Sequence, residues 1–224
     1  MKVKRKRRIK VRAKYEEGIR ALAPNEKWHA DVTHFVTGDG KTSFIYLVVD
    51  NFSRYIISWR VADKVCARVR LETFKESLWK MGLGNGKRKR PQIIVDGGTE
   101  NNNRQVDAFV GGHSLEKIVA MRDIEKSNSM AEAVNKTLKY DYLFHRPIQD
   151  NDHLISIMGK IVIPDYNNKR PHGALDGLTP FEAYWKKKVD IKKLLSGMKQ
   201  AREERVEYNQ SHSCLGCPFG CKRE

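Results

Sequence analysis

The order of apolar runs in this chain predicts an α/β fold, a mixed five-stranded sheet with helices on both faces. Three observations carry that expectation. Three consecutive runs rich in Val, Ile, Tyr and Trp follow one another with only short turns between them. After them, helix-period stripes alternate with short apolar runs. At 224 residues the chain is long enough to bury one good core.

The three opening strands are Trp28 to Val36, Ser43 to Asp50 and Tyr55 to Val61. The first two are joined through "TGDGK", whose Asp39-Gly40 is a hairpin signal, and the second pair turns on "DNFSR". Leu71, Phe74, Leu78 and Met81 then recur at helical spacing, and "GLGNGKRKRP" ends that helix. Gln92 to Val95 is a short buried strand. Because a helix precedes it, this fourth strand is expected to lie parallel to an earlier one through a right-handed crossover. "VDAFV" reads as a short helix and "EKIVAM" as the fifth strand.

Ser129 to about Phe144 is helical, with Met130, Val134, Leu138 and Tyr142 spaced by four. Asp150 to Ile163 carries Leu154, Ile157 and Ile161 on one face, and Pro164 is expected to end or kink that helix. "TPFEAYW" opens another by the capping rules, with Thr179 as N-cap, Pro180 at N1 and Glu182 at N3. Three segments result: a basic arm and linker over 1–27, a core over 28–185, and a charged tail with clustered cysteines over 186–224.

The formal charge is +16, but 9 of the first 14 residues are Lys or Arg. The rest holds 34 basic against 27 acidic residues, so the body is only moderately basic. The arm must stay solvated or lie on a polyanion, which makes nucleic acid the expected partner. No run of about 18 apolar residues is present, and no apolar segment follows the basic N-terminus as a signal peptide requires. A soluble, cytoplasmic protein is expected, without a membrane partner. Cys214, Cys217 and Cys221 crowd the last eleven residues while Cys66 stands apart, which is no distributed disulfide framework.

If the first and fourth strands are neighbours, Asp31 in the middle of one approaches Asp96 at the carboxyl end of the other, where open α/β sheets hold their ligands. Two carboxylates so close repel unless a hard divalent cation lies between them. Two such ions about 4 Å apart suit phosphoryl transfer. Glu132 is the candidate third ligand. Ser129-Met130-Ala131-Glu132 is equally a capping box, and Lys136 lies four residues on as an ion-pair partner. Asn135, Lys136 and Lys139 share its side of the helix. Turn or capping roles are expected for Asp50 and Glu100, and a solvated loop for Asp123 and Glu125.

Four motifs in order, "WHADVTHF", "VDGGTEN", "NSMAEAVNKTLK" and "YNNKRPHGALDGLTPFEAY", resemble the retroviral-integrase-like transposases of bacterial insertion sequences, whose catalytic triad is Asp, Asp and Glu. The likeness covers roughly 16–185, and the 35 residues between Asp96 and Glu132 match the family's spacing. The resemblance implies a ribonuclease H-like fold and two magnesium or manganese ions on Asp31, Asp96 and Glu132. It implies hydrolysis that exposes a 3′-hydroxyl, then attack of that hydroxyl on target DNA, by oligomers assembled on DNA. Lys136 and Lys139 would position DNA, and Arg170 and His172 are candidate phosphate contacts or parts of a structural turn. Gly97 stands where the family often has Asn, and Pro164 interrupts a helix usually written without it. No helix-turn-helix precedes the core; related elements carry that part upstream, in some cases in a separate reading frame, so a separate end-recognition protein is an expected partner.

Two other readings use the same residues: a degenerate copy that binds DNA without catalysis, and a ribonuclease H-like nuclease that hydrolyses without joining strands. In the tail, His212, Cys214, Cys217 and Cys221 are ligand types that zinc prefers, within a ten-residue span tighter than ordinary finger spacing. Zinc there competes with an unstructured tail.

Overall fold

The computed structural model describes residues 19–83, 90–113, 115–120, 129–186 and 191–211. The basic arm over 1–14, Asp123, Glu125 and the four tail residues His212, Cys214, Cys217 and Cys221 lie outside them. The chain forms two units, 1–186 and 187–224. In the second, α7 (Ile191–Ser211) is a single 21-residue helix. Among the described residues no helix is long and apolar enough to cross a membrane.

The first unit is built on β1 (Lys27–Val36), β2 (Thr42–Asp50), β3 (Ile56–Ala62), β4 (Gln92–Val95) and β5 (Glu116–Val119). Their order across the sheet is β3-β2-β1-β4-β5. The three opening strands pair antiparallel, and β4 and β5 add in parallel on the other edge of β1. The hairpin turns where expected, with Gly40 at φ 78 and Thr37 N–H bonded to Lys41 O.

Alternation along the strands feeds two cores. Ile45, Leu47 and Val49 pack with Met130, Val134 and Leu138 on one face, while Trp28, Ala30, Val48, Ile93 and Val95 pack with Phe74 and Leu78 on the other. Helix α1 (Ala67–Lys80) turns its expected stripe inward, with Phe74 and Leu78 buried and Leu71 and the following Met81 partly buried against the same core. The buried face is wider than that stripe, because Arg70, Thr73 and Ser77 are buried as well. Thr73 Oγ1 bonds Val69 O, Ser77 Oγ bonds Thr73 O, and Ser58 Oγ meets Ser77 Oγ at 2.6 Å. Small hydroxyls satisfied by the helix's own carbonyls cost little to bury.

Helix α2 (Arg104–Gly112) is capped by Asn103, whose side chain accepts from Val106 N–H. Helix α3 (Ser129–Thr137) runs on as a π-helical turn over Leu138–Leu143. Helix α4 (Asn151–Ile157) passes through a second π turn, Met158–Val162, into α5 (Ile163–Asn168). Pro164 therefore does not end the helix. Ile163 N–H bonds Met158 O five residues back, and this wider turn accommodates a ring that lacks a donor. It also changes the buried stripe: Leu154, Met158, Val162 and Tyr166 face the core, whereas Ile161 is exposed. Each four-residue step overshoots an α turn by about 40°, a drift that a wider turn takes up.

The segment after α5 is held by its own polar residues. Asn167 is buried and brackets Ile56, accepting from its N–H and donating to its C=O, each at 3.0 Å. His172 N–H bonds Leu178 O, and Thr179 and Glu182 form the expected capping box at the start of α6 (Pro180–Tyr184). Residues read as linker are partly packed: Ala21 is buried with its N–H on Asn51 Oδ1, and Asn25 N–H bonds Asp50 Oδ1.

Candidate active site

Strand β1 pairs with β4 so that Ala30 stands opposite Val95, and the next residue of each is Asp31 and Asp96. Parallel pairing thus sets the two aspartates side by side where β4 ends. Burial and then the charge of Asp96 push the Asp31 carboxyl up to about 6, Glu132 adding in the same direction while Val32 N–H and Arg70 oppose them.

Each aspartate is oriented by an asparagine. Asn135 Nδ2 donates to Asp31 Oδ2 at 2.5 Å, which ties α3 to the middle of β1. Asn101 Nδ2 donates to Asp96 Oδ1 at 2.6 Å and to Glu100 Oε1 at 2.8 Å, and Gly98 N–H also bonds Asp96 Oδ1. The turn "DGGTENN" folds this way because Asn101 and Asn102 N–H both bond Gly98 O. Lys139, one π turn beyond Asn135, is half-buried; burial pulls its ammonium below the ordinary value and the charge of Asp31 opposes that pull. Lys136 is exposed.

Glu132 projects from the same helix and is exposed. Ser129 is the first described residue of α3. Among the described residues Glu132 accepts no bond from a helix N–H and forms no ion pair with Lys136.

Whether the set suits a metal is answered by its donors. Asp31 and Asp96 are adjacent carboxylates that repel each other, and the side-chain carbonyls of Asn101 and Asn135 are buried beside them without a hydrogen-bond partner. An all-oxygen set with orphaned acceptors fits a hard divalent cation. Among the described residues no three His, Cys, Asp or Glu side chains close into a ready metal shell, so Glu132 reaches the pair through its field rather than by contact.

Arg170 and His172 are not brought to the carboxylates. Arg170 Nη2 is 2.6 Å from Asp141 Oδ2 and its guanidinium lies over the Tyr142 ring, while His172 meets Tyr166 edge-to-face at 4.9 Å. Asp50 has the expected turn role, accepting from Ser53 N–H and Oγ and from Asn25 N–H. Glu100 is more than a turn residue: it is buried beside Asp96.

Sequence reasoning missed Arg70. It is fully buried in α1, with its guanidinium 5.1 Å from the Tyr46 ring and 5.5 Å from Phe74. Burial pulls it below the ordinary arginine range, opposed by the charges of Glu100 and Asp31, then Tyr46 and Asp96. The signal available was an arginine on the inward side of an amphipathic helix, at i−4 from Phe74, which a solvated reading of charged residues passes over.

Two family models, both described as integrase core domain, match residues 21–129 and 125–180. The InsF transposase of insertion sequence IS3A from Escherichia coli K12 is 24% identical over 168 residues, 74% of this chain and 56% of the relative. The transposase of insertion sequence IS904 from Lactococcus lactis is 25% identical over 170 residues, 74% of this chain and 64% of the relative. The chain thus spans little more than half the length of the first of these relatives. The integrase catalytic core of HTLV-2 in complex with magnesium superimposes with a TM-score of 0.54 at 21% identity, over 74% of this chain and 99% of that one. A chain of the simian T-cell lymphotropic virus intasome, in complex with a PP2A regulatory subunit, gives 0.61 at 19% identity, over 75% and 57%. These likenesses show the fold, which is ribonuclease H-like. With both models falling on the unit that carries Asp31, Asp96 and Glu132, the chain belongs to the integrase core family, among the integrase-like transposases of bacterial insertion sequences.

Proposed function

We propose that this chain is the catalytic core of a DNA transposase, which hydrolyses a phosphodiester and transfers the resulting 3′-hydroxyl end to target DNA. The observation that carries this reading is the adjacency of Asp31 and Asp96 at the end of β4, with α3 and the π turn that continues it presenting Glu132, Asn135 and Lys139 on that side. Relatives described as transposases, and a similar core described as holding magnesium, support it.

Asp31 and Asp96 would hold two magnesium or manganese ions, with Glu132 completing the set. When bound, such ions supply Lewis-acid activation of the attacking oxygen and stabilise the leaving one. The chain's own residues orient the site. Asn135 and Asn101 fix the two aspartates, and Lys139 and Lys136 bind backbone phosphates on the same helix face. The chain acts as an oligomer on DNA, as the intasome likeness suggests, with end recognition supplied by a separate helix-turn-helix protein.

The test is joining of pre-cut, 3′-hydroxyl DNA ends to labelled target, with magnesium or with chelator, beside Asp31→Asn and Asp96→Asn. Magnesium-dependent joining lost in both variants is expected. Cleavage without joining would instead mark a nuclease, and binding without either would mark a DNA-binding protein.

A further inference from the structure

A cavity of about 280 Å³ opens between the first half of α3 and the turn after α5. Its polar lining includes Arg54, Ser129, Thr137, Tyr166 and His172, and its apolar floor includes Met130 and Val134. Among the described residues no carboxylate lines it.

Arg54 is set there by a built turn. Its backbone is left-handed, φ 65, a conformation rare outside glycine, and its N–H bonds Asp50 O at 2.9 Å. The Asp50 carboxylate is itself locked by Ser53 and Asn25. Among the described residues no acid lies within ion-pair distance of Arg54, whereas the neighbouring Arg170 is paired with Asp141. His172 packs its ring on Tyr166, and its Nε2 is buried with no partner. Burial, then the charges of Arg170 and Arg54, hold its imidazole down to about 4, so it is neutral at pH 7. A guanidinium beside an orphaned imidazole nitrogen, with no acid among the described residues of the lining, is the donor set for an anion.

The place of the cavity on α3 says which anion. At 100° per residue, exposed Lys136 lies between the side bearing Glu132 and Lys139 and the side bearing Ala133 and Thr137, which line the cavity. Cations therefore follow one another from Lys139 through Lys136 to Arg54, the pattern of a track for a polyanion.

We propose that the cavity is a phosphate site that holds a backbone phosphodiester of DNA flanking the reacting one, with Arg54 supplying charge and His172 Nε2 a hydrogen bond. This rests on the functional reading above. The full chain, Arg54→Gln and Arg54→Lys are compared for duplex binding across a salt series, and [15N]histidine NMR follows His172 during titration with duplex and, separately, with inorganic phosphate. Arg54→Gln should flatten the log-log salt slope by roughly 0.9, the loss of one phosphate contact, and Arg54→Lys should keep it. The His172 Nε2 signal should move with duplex and barely move with inorganic phosphate at equal phosphate concentration.

An unchanged slope in folded Arg54→Gln, or an unmoved His172 signal with duplex bound, overturns the proposal. Equal response to inorganic phosphate marks a free-phosphate site and overturns the assignment to DNA. If Arg54→Gln does not fold, the wild-type histidine signal decides alone. Wild-type protein that binds no duplex overturns the functional reading and this site with it; normal binding with an inert cavity overturns the site only.

Discussion

Glu100 lies directly over Gly98: a Cβ added to that glycine would stand 2.4 Å from both carboxylate oxygens. The backbone there needs no positive φ, so what a larger residue would displace is the carboxylate end of the Glu100 side chain. Glu100 is buried and shares the Asn101 donor with Asp96, so moving it loosens the group that orients a candidate metal ligand.

Gly98→Ala should therefore destabilise the fold by about 1–3 kcal/mol through overpacking. Combined with Glu100→Ala it should cost less than the sum of the single variants, because the second change removes the obstacle. Urea denaturation of the four proteins measures this. Additive losses would show that Gly98 and Glu100 do not compete for the same space.

Asn167 belongs to the "YNNKRPH" motif, yet its side chain serves the fold. Asn167→Ala would leave the buried N–H and C=O of Ile56 unpaired, at about 2–4 kcal/mol. Chemical denaturation should show that loss while the folded fraction binds DNA with unaltered salt dependence. A variant of wild-type stability with weakened binding would make Asn167 a DNA contact instead.

The strands were legible because alternation and turn residues are local signals, and the helix between β3 and β4 implied a parallel crossover to an earlier strand, with β1 as its partner only a condition. What was not legible is non-local. Asn167 and Ile56 are 111 residues apart, and nothing near either announces the other. Arg70 sits beside the apolar stripe of its helix, and the small hydroxyls of Thr73 and Ser77 widen the buried face to include it. Ile161 looked like core until a π turn rotated it out, since periodicity assumes 3.6 residues per turn throughout. At the site, Asp31 and Asp96 were readable as a pair from topology, whereas Asn101 and Asn135 as their holders depend on side-chain geometry.

Glu132 makes neither of the two structural contacts its sequence neighbours offer. Glu132→Gln should accordingly change stability by less than about 0.5 kcal/mol. The neutral amide is a poor ligand for magnesium, so joining should fall by more than about a hundredfold with folding and DNA binding intact. Thermal unfolding and strand joining on one preparation check both halves. Near-normal joining would remove Glu132 from the metal set.

The pKa of Asp31, raised to about 6, makes stability depend on pH with a definite sign. Between about pH 4 and 6 the folded chain keeps a proton that the unfolded chain has released, so stability falls as pH rises through that window. The full shift corresponds to about 3 kcal/mol. Asp96, Glu132, Arg70 and Lys139 are the charged groups acting on it. His172, held down to about 4, acts oppositely: its contribution is present above 6.5 and lost as pH falls. The difference between wild type and Asp31→Asn isolates the aspartate. Magnesium should restore stability above pH 6 in wild type and not in the variant, and a pH-independent difference would contradict the raised value.

Arg70 poses the sharpest energetic question, because its Nε and Nη2 are buried without hydrogen bonds and Nη1 has only Leu47 O at 3.5 Å. A buried guanidinium so poorly bonded costs several kcal/mol unless a negative field offsets it. That field comes from Glu100 and Asp31, with Tyr46 and Asp96 behind them, and Leu47 is the β2 residue paired with Asp31. Arg70→Met keeps the unbranched apolar stem and removes the charge. It relieves the cation's own desolvation and also strips a counter-charge from the carboxylates. The balance therefore turns on how many of them are ionised. Near pH 4 to 5, with Asp31 protonated, the variant should be close to wild type. By about pH 8 it should be less stable by roughly 1–3 kcal/mol, a penalty that magnesium or an added Glu100→Gln substitution reduces. Denaturation curves at several pH values decide it. A loss equal at all pH values would show that Arg70 only fills space between Tyr46 and Phe74, whereas a loss that grows with carboxylate ionisation identifies it as the internal counter-ion of the site.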